Sequence, residues 1–356
     1  MNQMRVPLPD SGEGTKLAGG VLLTDVTVQL HENSVPLFVK DELEHLYESL
    51  YATLAQFQSK HDASLADVHT YVAYRAGKPC AVLLFRIHGS TARVLNEVMT
   101  IGAADIERFA SHVFAKYRSV SVIAFHAIRS DIAPRVLRHR FEVSEDIVLP
   151  LPASEDEYLA ALGKSTRRTV KYYSNKLKRD FPSFQHQVFT GDDITREQVR
   201  TIVDMKIAQM EEKHRPSILS EEDVDRMLRT LRSYGVVGIA TVDGKVCGGW
   251  ISYRVGRNDF MDMCVYDEAY HEYRLGTLCC YLAIVDCIAH GGKECHFQWG
   301  RDEYKFRFLG VQHNLVDLVI YRTPFAMIAH AGKYWRSAAR HLKRKFEERR
   351  DPHTSS

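Results

Sequence analysis

Four successive residues, Asp302-Glu303-Tyr304-Lys305, bring two carboxylates, a phenol and an ammonium together directly after the apolar run ECHFQWG. Such a set can move protons. A carboxylate takes one from a nucleophile, directly or through water, and a tyrosine returns one to a leaving group. Glu303 and Tyr304 are the candidates for those roles, with Lys305 as a contact for substrate or for an oxyanion. The plain alternative is a polar turn closed by a salt bridge. Asp262 is the second feature, because it interrupts the apolar segment MDMCVYD. A carboxylate inside an apolar strand is costly unless paired, so Asp262 belongs either to a structural ion pair or to a site. Strand alternation puts Asp262, Cys264 and Tyr266 on one face and Met261, Met263, Val265 and Asp267 on the other.

A third feature is the junction Arg274-Leu275-Gly276-Thr277, which opens the helix TLCCYLAIVDCIAH. The first N–H groups of a helix lack partners and sit at the positive end of its dipole, so such a start can hold an anion. An ordinary loop-to-helix junction has the same appearance. The fourth is the basic helix Lys164 to Arg179. Lys164, Arg168, Lys171, Asn175, Lys178 and Arg179 share one face, while Leu159, Leu162, Val170, Tyr173 and Leu177 share the other. That stripe is either a solvated face or a place where Arg167 or Arg168 reaches a phosphate or carboxylate. Cys264, Cys279 and Cys280 have no neighbouring base and read as buried packing. The 17 His show no H-x-x-x-H or H-E-x-x-H spacing, so no metal site is expected.

The elements that must position these residues come in two matching sets. In the first, a strand-like run (21–30) and a helix (41–60) precede two strands joined at Gly77-Lys78, a third strand (92–100), a helix (105–116) and the buried strand VSVIAF. In the second, helices over 197–211 and 220–233 precede two strands joined at Gly244-Lys245, a third strand (258–266), a helix from Gly276 and the strand ECHFQWG. At an offset of 167 residues Ala73, Gly77, Lys78, Cys80, Gly89 and Val98 meet Ala240, Gly244, Lys245, Cys247, Gly256 and Val265. Two copies of one α/β unit follow. They are unequal: the first copy's helix opens on Gly102-Ala103-Ala104-Asp105, whose acidic residue suits the dipole but repels phosphate. A phosphorylated ligand therefore belongs to the second copy. Expected boundaries are a polar leader (1–20), an N-terminal unit (21–150), a C-terminal unit (151–323) and a basic tail (324–356).

Three segments resemble the CelD/BcsL group of tandem GNAT acyltransferases, relatives of the FemABX peptidoglycan ligases. They are LPASEDEYLAALGKSTRRTVKYYSNKLKRDF, GKVCGGWISYRVGRNDFMDMCVYDEAYHEYRLGTLCCYLAIVDCIAHGG, and FQWGRDEYKFRFLG with Gly300, Tyr304 and Lys305 in a G-x-x-x-Y-K element. The likeness spans roughly residues 148 to 322. It implies two tandem GNAT-like domains, each a twisted mixed sheet flanked by helices, with an acyl thioester between splayed central strands. Coenzyme A pyrophosphate then lies on a Q/R-x-x-G-x-G/A loop. Gly276 takes its last glycine place, while His271 stands for Gln/Arg and Arg274 replaces the first glycine. His271, Arg274, Leu275, Gly276 and Thr277 are the expected donor contacts. Glu303, Tyr304 and Asp262 are the expected catalytic groups, and Arg167, Arg168, Trp299, Asp302 and Lys305 the expected substrate contacts.

The reaction expected from this resemblance is transfer of an acyl group, acetyl foremost, from acetyl-CoA or another acyl-CoA to an amine or hydroxyl. The acceptor is a small molecule or a saccharide, such as a cell-envelope saccharide or its precursor. Two rivals stand beside it: aminoacyl transfer from aminoacyl-tRNA, and a non-catalytic module that binds an anionic surface. The tail KYWRSAARHLKRKFEERR holds eight Lys/Arg against two Glu, which fits a helix lying on an anionic membrane and equally a solvated one. A net charge of +2, with no helix-turn-helix or finger motif, argues against DNA. The best apolar run, Thr277 to His290, contains Asp286 and is shorter than the roughly 20 residues of a membrane span. Six of seven Cys crowd between Cys247 and Cys295 without C-x-x-C spacing, as free thiols in a reducing compartment would. A cytoplasmic protein, peripheral at the inner membrane face through its tail and monomeric or homodimeric, is the expectation.

Overall fold

In a computed structural model of the chain, which describes residues 26–60, 64–130, 134–212, 219–330 and 332, both Gly-Lys turns close two-residue hairpins. Ala76 and Gly77 have φ of 49° and 75°, and Asp243 and Gly244 have 49° and 74°. Two successive left-handed residues make the turn whose twist matches that of its strands, and glycine takes the second place at no steric cost.

The first half of the chain forms β1 (Val26–His31), α1 (Val39–Tyr47), α2 (Leu54–Lys60), β2 (His69–Arg75), β3 (Lys78–His88), β4 (Thr91–Val94), α3 (Ala103–Lys116), β5 (Val122–Ile128) and β6 (Arg138–Pro150). The helices α4 (Glu155–Ala161) and α5 (Lys164–Asp180) lead into the second half. That half comprises β7 (Gln185–Thr190), α6 (Arg196–Glu212), α7 (Glu221–Tyr234), β8 (Gly235–Val242), β9 (Lys245–Val255), β10 (Asn258–Tyr266), α8 (Leu275–Ala289), β11 (Glu294–His296), α9 (Glu303–Arg307) and β12 (Val311–Tyr321). With α9 set aside, each half runs strand, two helices, three strands, helix, two strands. The expected repeat is present and fuller than its sequence pattern indicated.

All twelve strands join one sheet in the order β1-β2-β3-β4-β5-β12-β6-β11-β10-β9-β8-β7. In each half the last strand of the meander runs parallel to the strand that follows the helix, β4 with β5 and β10 with β11. The last strand of each half then crosses over. β6 pairs antiparallel with β11 and β12 pairs antiparallel with β5, and the two lie against each other from Val311↔Val148 to Ile320↔Arg138. The halves therefore exchange their final strands at the centre of the sheet.

Several elements differ from expectation. The helix expected over 41–60 is broken after Tyr47, where Glu48 turns left-handed, and a 3₁₀ turn over Leu50–Ala52 separates α1 from α2. The third N-terminal strand is confined to β4, and ECHFQWG is a strand only over Glu294–His296. Leu159 and Leu162 belong to α4 and its C-terminal cap and not to the basic helix, because Gly163 separates the two helices. The leader and the basic residues from 333 onward lie outside the described residues.

Packing follows the periodicity. α8 is apolar nearly all round and buries Leu275, Leu278, Cys279, Cys280, Ala283, Ile284 and Cys287. α5 buries Val170 and Leu177 and leaves Lys164, Arg168, Lys171, Lys178 and Arg179 exposed. The opposite sheet face of the second half carries α6 and α7, whose Val199, Ile202, Val203, Val224 and Leu231 share a core with Phe260 and Val265. All seven cysteines are free thiols. No helix among the described residues is long and apolar enough to cross a membrane.

Candidate active site

β10 and β11 pair only from Asn258↔Glu294 to Phe260↔His296. Beyond that point β10 continues to Tyr266 while β11 ends, so the sheet opens as a wedge. At its mouth β10 carries a bulge. Met261 pairs with Ser252 and Met263 with Ile251, leaving Asp262 without a ladder partner. The bulge breaks the alternation expected from the sequence. Phe260, Met263 and Val265 face the α6/α7 core, Met261 and Cys264 face the α8 core, and Asp262 is turned aside. It is not grouped with Cys264 and Tyr266.

Asp262 lines a cavity of about 390 Å³ whose walls are Leu50, Tyr51, Gln56 and Ser59 from the first half and Arg226, Met227, Thr230, Tyr253 and Gln298 from the second. Its carboxyl is open to water in the cavity yet surrounded by protein. This desolvation pushes its pKa up to about 6, against the opposing pull of Lys206 on α6. A carboxylate so placed is largely ionised at neutral pH and is a stronger base than an ordinary one. Burial also raises Tyr51 and Tyr253, with the nearby charge of Asp262 adding to it.

Gln298 stands at the apex of the wedge in a left-handed conformation, φ 58°. Its Nε2 donates to Met261 O at 2.9 Å, its Oε1 accepts from Tyr51 Oη, and its backbone O accepts from Ile147 N at 3.2 Å. Behind it, the His296 ring stacks on Phe260 at 4.3 Å and its Nδ1 meets Asp146 at 2.6 Å. Burial opposes charge on His296, but its contacts with Asp146 and Glu294 outweigh this and hold its pKa above the ordinary value.

The wedge has a second face. Tyr304, on α9, meets the Phe297 ring at 6.3 Å, and burial together with the neighbouring Cys280 and Cys264 drives its pKa far up, so it is a protonated phenol. Cys264 belongs to the same α8-side core, with Sγ 3.6 Å from Gly276 O. Asp262 thus lines the cavity between the halves, while Tyr304 lies by Phe297 and the α8-side cysteines.

The remaining expected residues divide clearly. Trp299 is half exposed and packs on Tyr51 at 5.1 Å, at the cavity rim. Lys305 is 3 % exposed, and its Nζ donates to Trp299 O at 2.5 Å and Gly300 O at 3.0 Å. Desolvation lowers its pKa, with Asp302 at 3.7 Å as partial compensation. Its ammonium holds the loop, and Lys305 is not among the residues that line the cavity. Glu303 is exposed in the first turn of α9 and does not line the cavity, and Asp302 is the N-cap of that helix. Arg167 donates to Ala160 O at 3.2 Å and so caps α4, whereas Arg168 is exposed.

At the start of α8, Leu278 N makes the first intrahelical bond to Arg274 O at 3.1 Å, which leaves the amides of Leu275, Gly276 and Thr277 ahead of the ladder. Arg274 is the N-cap in a left-handed conformation, φ 51°, with an exposed side chain, and His271 is exposed in the preceding 3₁₀ turn. The Leu275 side chain is wholly buried, so only its backbone is available to a ligand. A Cβ on Gly276 would stand 2.6 Å from the Tyr266 ring. Close packing alone therefore requires glycine there.

Residues 164–306, from α5 into α9, match the family model described as acetyltransferase (GNAT) domain. Over those residues the chain is similar to a GNAT domain. Among solved structures, FemX shares 12% identity over 84% of this chain and 99% of its own, with a TM-score of 0.57. A conserved protein of unknown function from Bacteroides thetaiotaomicron shares 10% over 83% of this chain and 100% of its own, with a TM-score of 0.51. No curated protein matches the chain. At these identities the likeness is one of fold, and both structures span the two GNAT-like halves. The architecture is two GNAT-like halves in tandem.

Proposed function

We propose that this protein transfers an acyl group, acetyl foremost, from acyl-CoA to the amine or hydroxyl of an acceptor bound between its two halves. The observation that carries the reading is Asp262, an unpaired bulge carboxylate raised to about 6 at the mouth of an open parallel-strand wedge. The acceptor occupies the polar cavity, and its nucleophilic N or O gives a proton to Asp262 as it bonds to the acyl carbon. The carbon–sulfur bond breaks and the thiolate takes a proton from Tyr304 on the far side of the wedge. Backbone N–H at the bulge is the candidate donor to the oxyanion. The first-turn amides of α8 and the Arg274 guanidinium are the groups suited to the donor's phosphates. No cysteine is placed as a nucleophile, so attack is direct.

A cell-envelope saccharide or its precursor as acceptor rests on the CelD/BcsL resemblance. Attachment of the tail to an anionic membrane rests on its composition. One observation favours the runner-up, aminoacyl transfer from aminoacyl-tRNA: Tyr266 accounts for Gly276 without any phosphate, and His271 and Arg274 depart from the coenzyme A loop pattern.

The test is thermal unfolding with and without acetyl-CoA, in the wild type and in Arg274→Glu. That change reverses charge at the α8 start without touching the Tyr266 contact. Ligand at about a hundred times its dissociation constant adds roughly 2.7 kcal/mol, and the shift should shrink or vanish in the variant. No shift at millimolar acetyl-CoA would turn the reading to aminoacyl-tRNA.

A further inference from the structure

We propose that Tyr51 and Gln298 are a positioning pair, through which the N-terminal half reaches into the C-terminal wedge and sets the placement of Asp262. The inference rests on the reading of Asp262 as the base, and adds what holds it.

Three observations converge on the pair. Gln298 is buried and left-handed, a conformation that a residue with a side chain keeps only where its surroundings hold it. Both ends of its side chain are engaged: Oε1 accepts from Tyr51 Oη, and Nε2 donates to Met261 O at 2.9 Å, one residue before Asp262. Tyr51 is also fixed by its ring, which meets Phe260 at 6.0 Å and Trp299 at 5.1 Å. The segment that carries it is docked on the other half upstream as well. Tyr234 Oη donates to Glu44, while Arg257 N and Asn258 Nδ2 donate to Glu48 Oε1 and O, each at 3.1 Å. Asn258 begins β10, so the 44–51 segment grips that strand at its start and, through Gln298, at its bulge. Loss of the Tyr51 hydroxyl leaves Gln298 Oε1 without that donor in a buried place. The amide then loosens, Met261 O loses a fixed donor, and Asp262 turns further from the protein wall into the water of the cavity.

The pair is tested on the full chain without ligand, by ¹³C-carboxyl NMR titration of Asp262 in the wild type, Tyr51→Phe and Gln298→Met. Lys206 of α6, Arg226 of α7 and Tyr253 of β9, which also face Asp262 or its cavity, are unchanged in both variants. The midpoint should fall by about one unit or more toward the ordinary carboxyl value near 3.9. The kcat for acceptor-dependent thiol release should fall by about tenfold or more, with the acetyl-CoA thermal shift retained. Gln298→Glu keeps an acceptor for Tyr51 but loses the donor to Met261, and should reproduce the fall in kcat. An unchanged Asp262 midpoint in both Tyr51→Phe and Gln298→Met overturns the proposal, whatever the rate does. Absence of an acetyl-CoA shift in the wild type overturns the donor reading alone, because the titration uses no ligand.

Discussion

The two halves build the same wedge and finish it differently. In the first half β4 and β5 pair over Thr91–Arg93, and the chain then leaves the sheet at Leu95 and returns. Val98 N donates to Ala127 O at 2.8 Å, Arg129 N to Met99 O at 2.8 Å and Ile101 N to Arg129 O at 3.1 Å, so the gap is stitched shut. In the second half nothing from β10 returns to β11, and Gln298 holds the opening with its side chain. Counted from the paired ends, Thr91 with Asn258, the place of Asp262 is taken in the first half by Leu95, which is 7 % exposed. Backbone that pairs with itself has nothing to offer a ligand. On the proposed function, an unequal pair of this kind would put the chemistry in one half and the support in the other.

The comparison can be broken or sharpened in four ways. Asp262→Asn should lower acceptor-dependent release of coenzyme A thiol by at least about a hundredfold, with the acetyl-CoA thermal shift kept. A smaller loss would leave the open wedge without its base. Leu95→Asp places a charge in the closed wedge and should cost about 3 kcal/mol or more in urea unfolding. A near-neutral result would mean that the first wedge opens readily and that the halves are alike. The third concerns pH. With its pKa raised to about 6, Asp262 must lose its proton to act, so the transfer rate should rise through about pH 6. The sign for stability is opposite: the folded state keeps a proton that the unfolded chain releases near 3.9. The stabilisation is therefore present at pH 4 and lost as pH passes 6. Between pH 4.5 and 7.5 the wild type should lose on the order of 2 °C more in Tm than Asp262→Asn, read by scanning calorimetry. Arg168→Glu, on the solvated face of α5, should change stability by less than about 0.5 kcal/mol. A loss of activity at unchanged Tm would instead place Arg168 on the substrate.

Much of the scaffold was legible because short-range rules govern it. Gly77 and Gly244 mark hairpins through backbone sterics, Asn258–Tyr266 reads as a strand through its composition, and the apolar girth of α8 announces its burial. β6 and β12 escaped because their partners lie in the opposite half, and mixed polar content in EVSEDIV and VQHNLVD hides the strand period. The site was legible in part. Asp262 stood out as a carboxylate among apolar residues, and Tyr304 as part of a motif. Tyr51 and Gln298 did not, since 247 positions separate them and neither is unusual in its own segment. A polar residue after a buried strand, in a half that otherwise repeats, is the one signal that points to Gln298. The burial of Lys305 was not legible, because the two carbonyls that hold it inside belong to its own loop and carry no sequence signal.

The exchange of final strands has a consequence for biosynthesis. β5 lies unpaired on one side until β12, from the other half, leaves the ribosome, and β6 waits for β11 in the same way. The first half thus presents a bare hydrogen-bonding edge until the second half is made, a feature that invites pairing with other nascent chains. Contacts so distant along the chain also slow the search for the native sheet. Truncation before Val311 strips both halves at once, since β12 pairs with both β5 and β6, and a stop codon at that point should yield insoluble protein instead of a shorter working one.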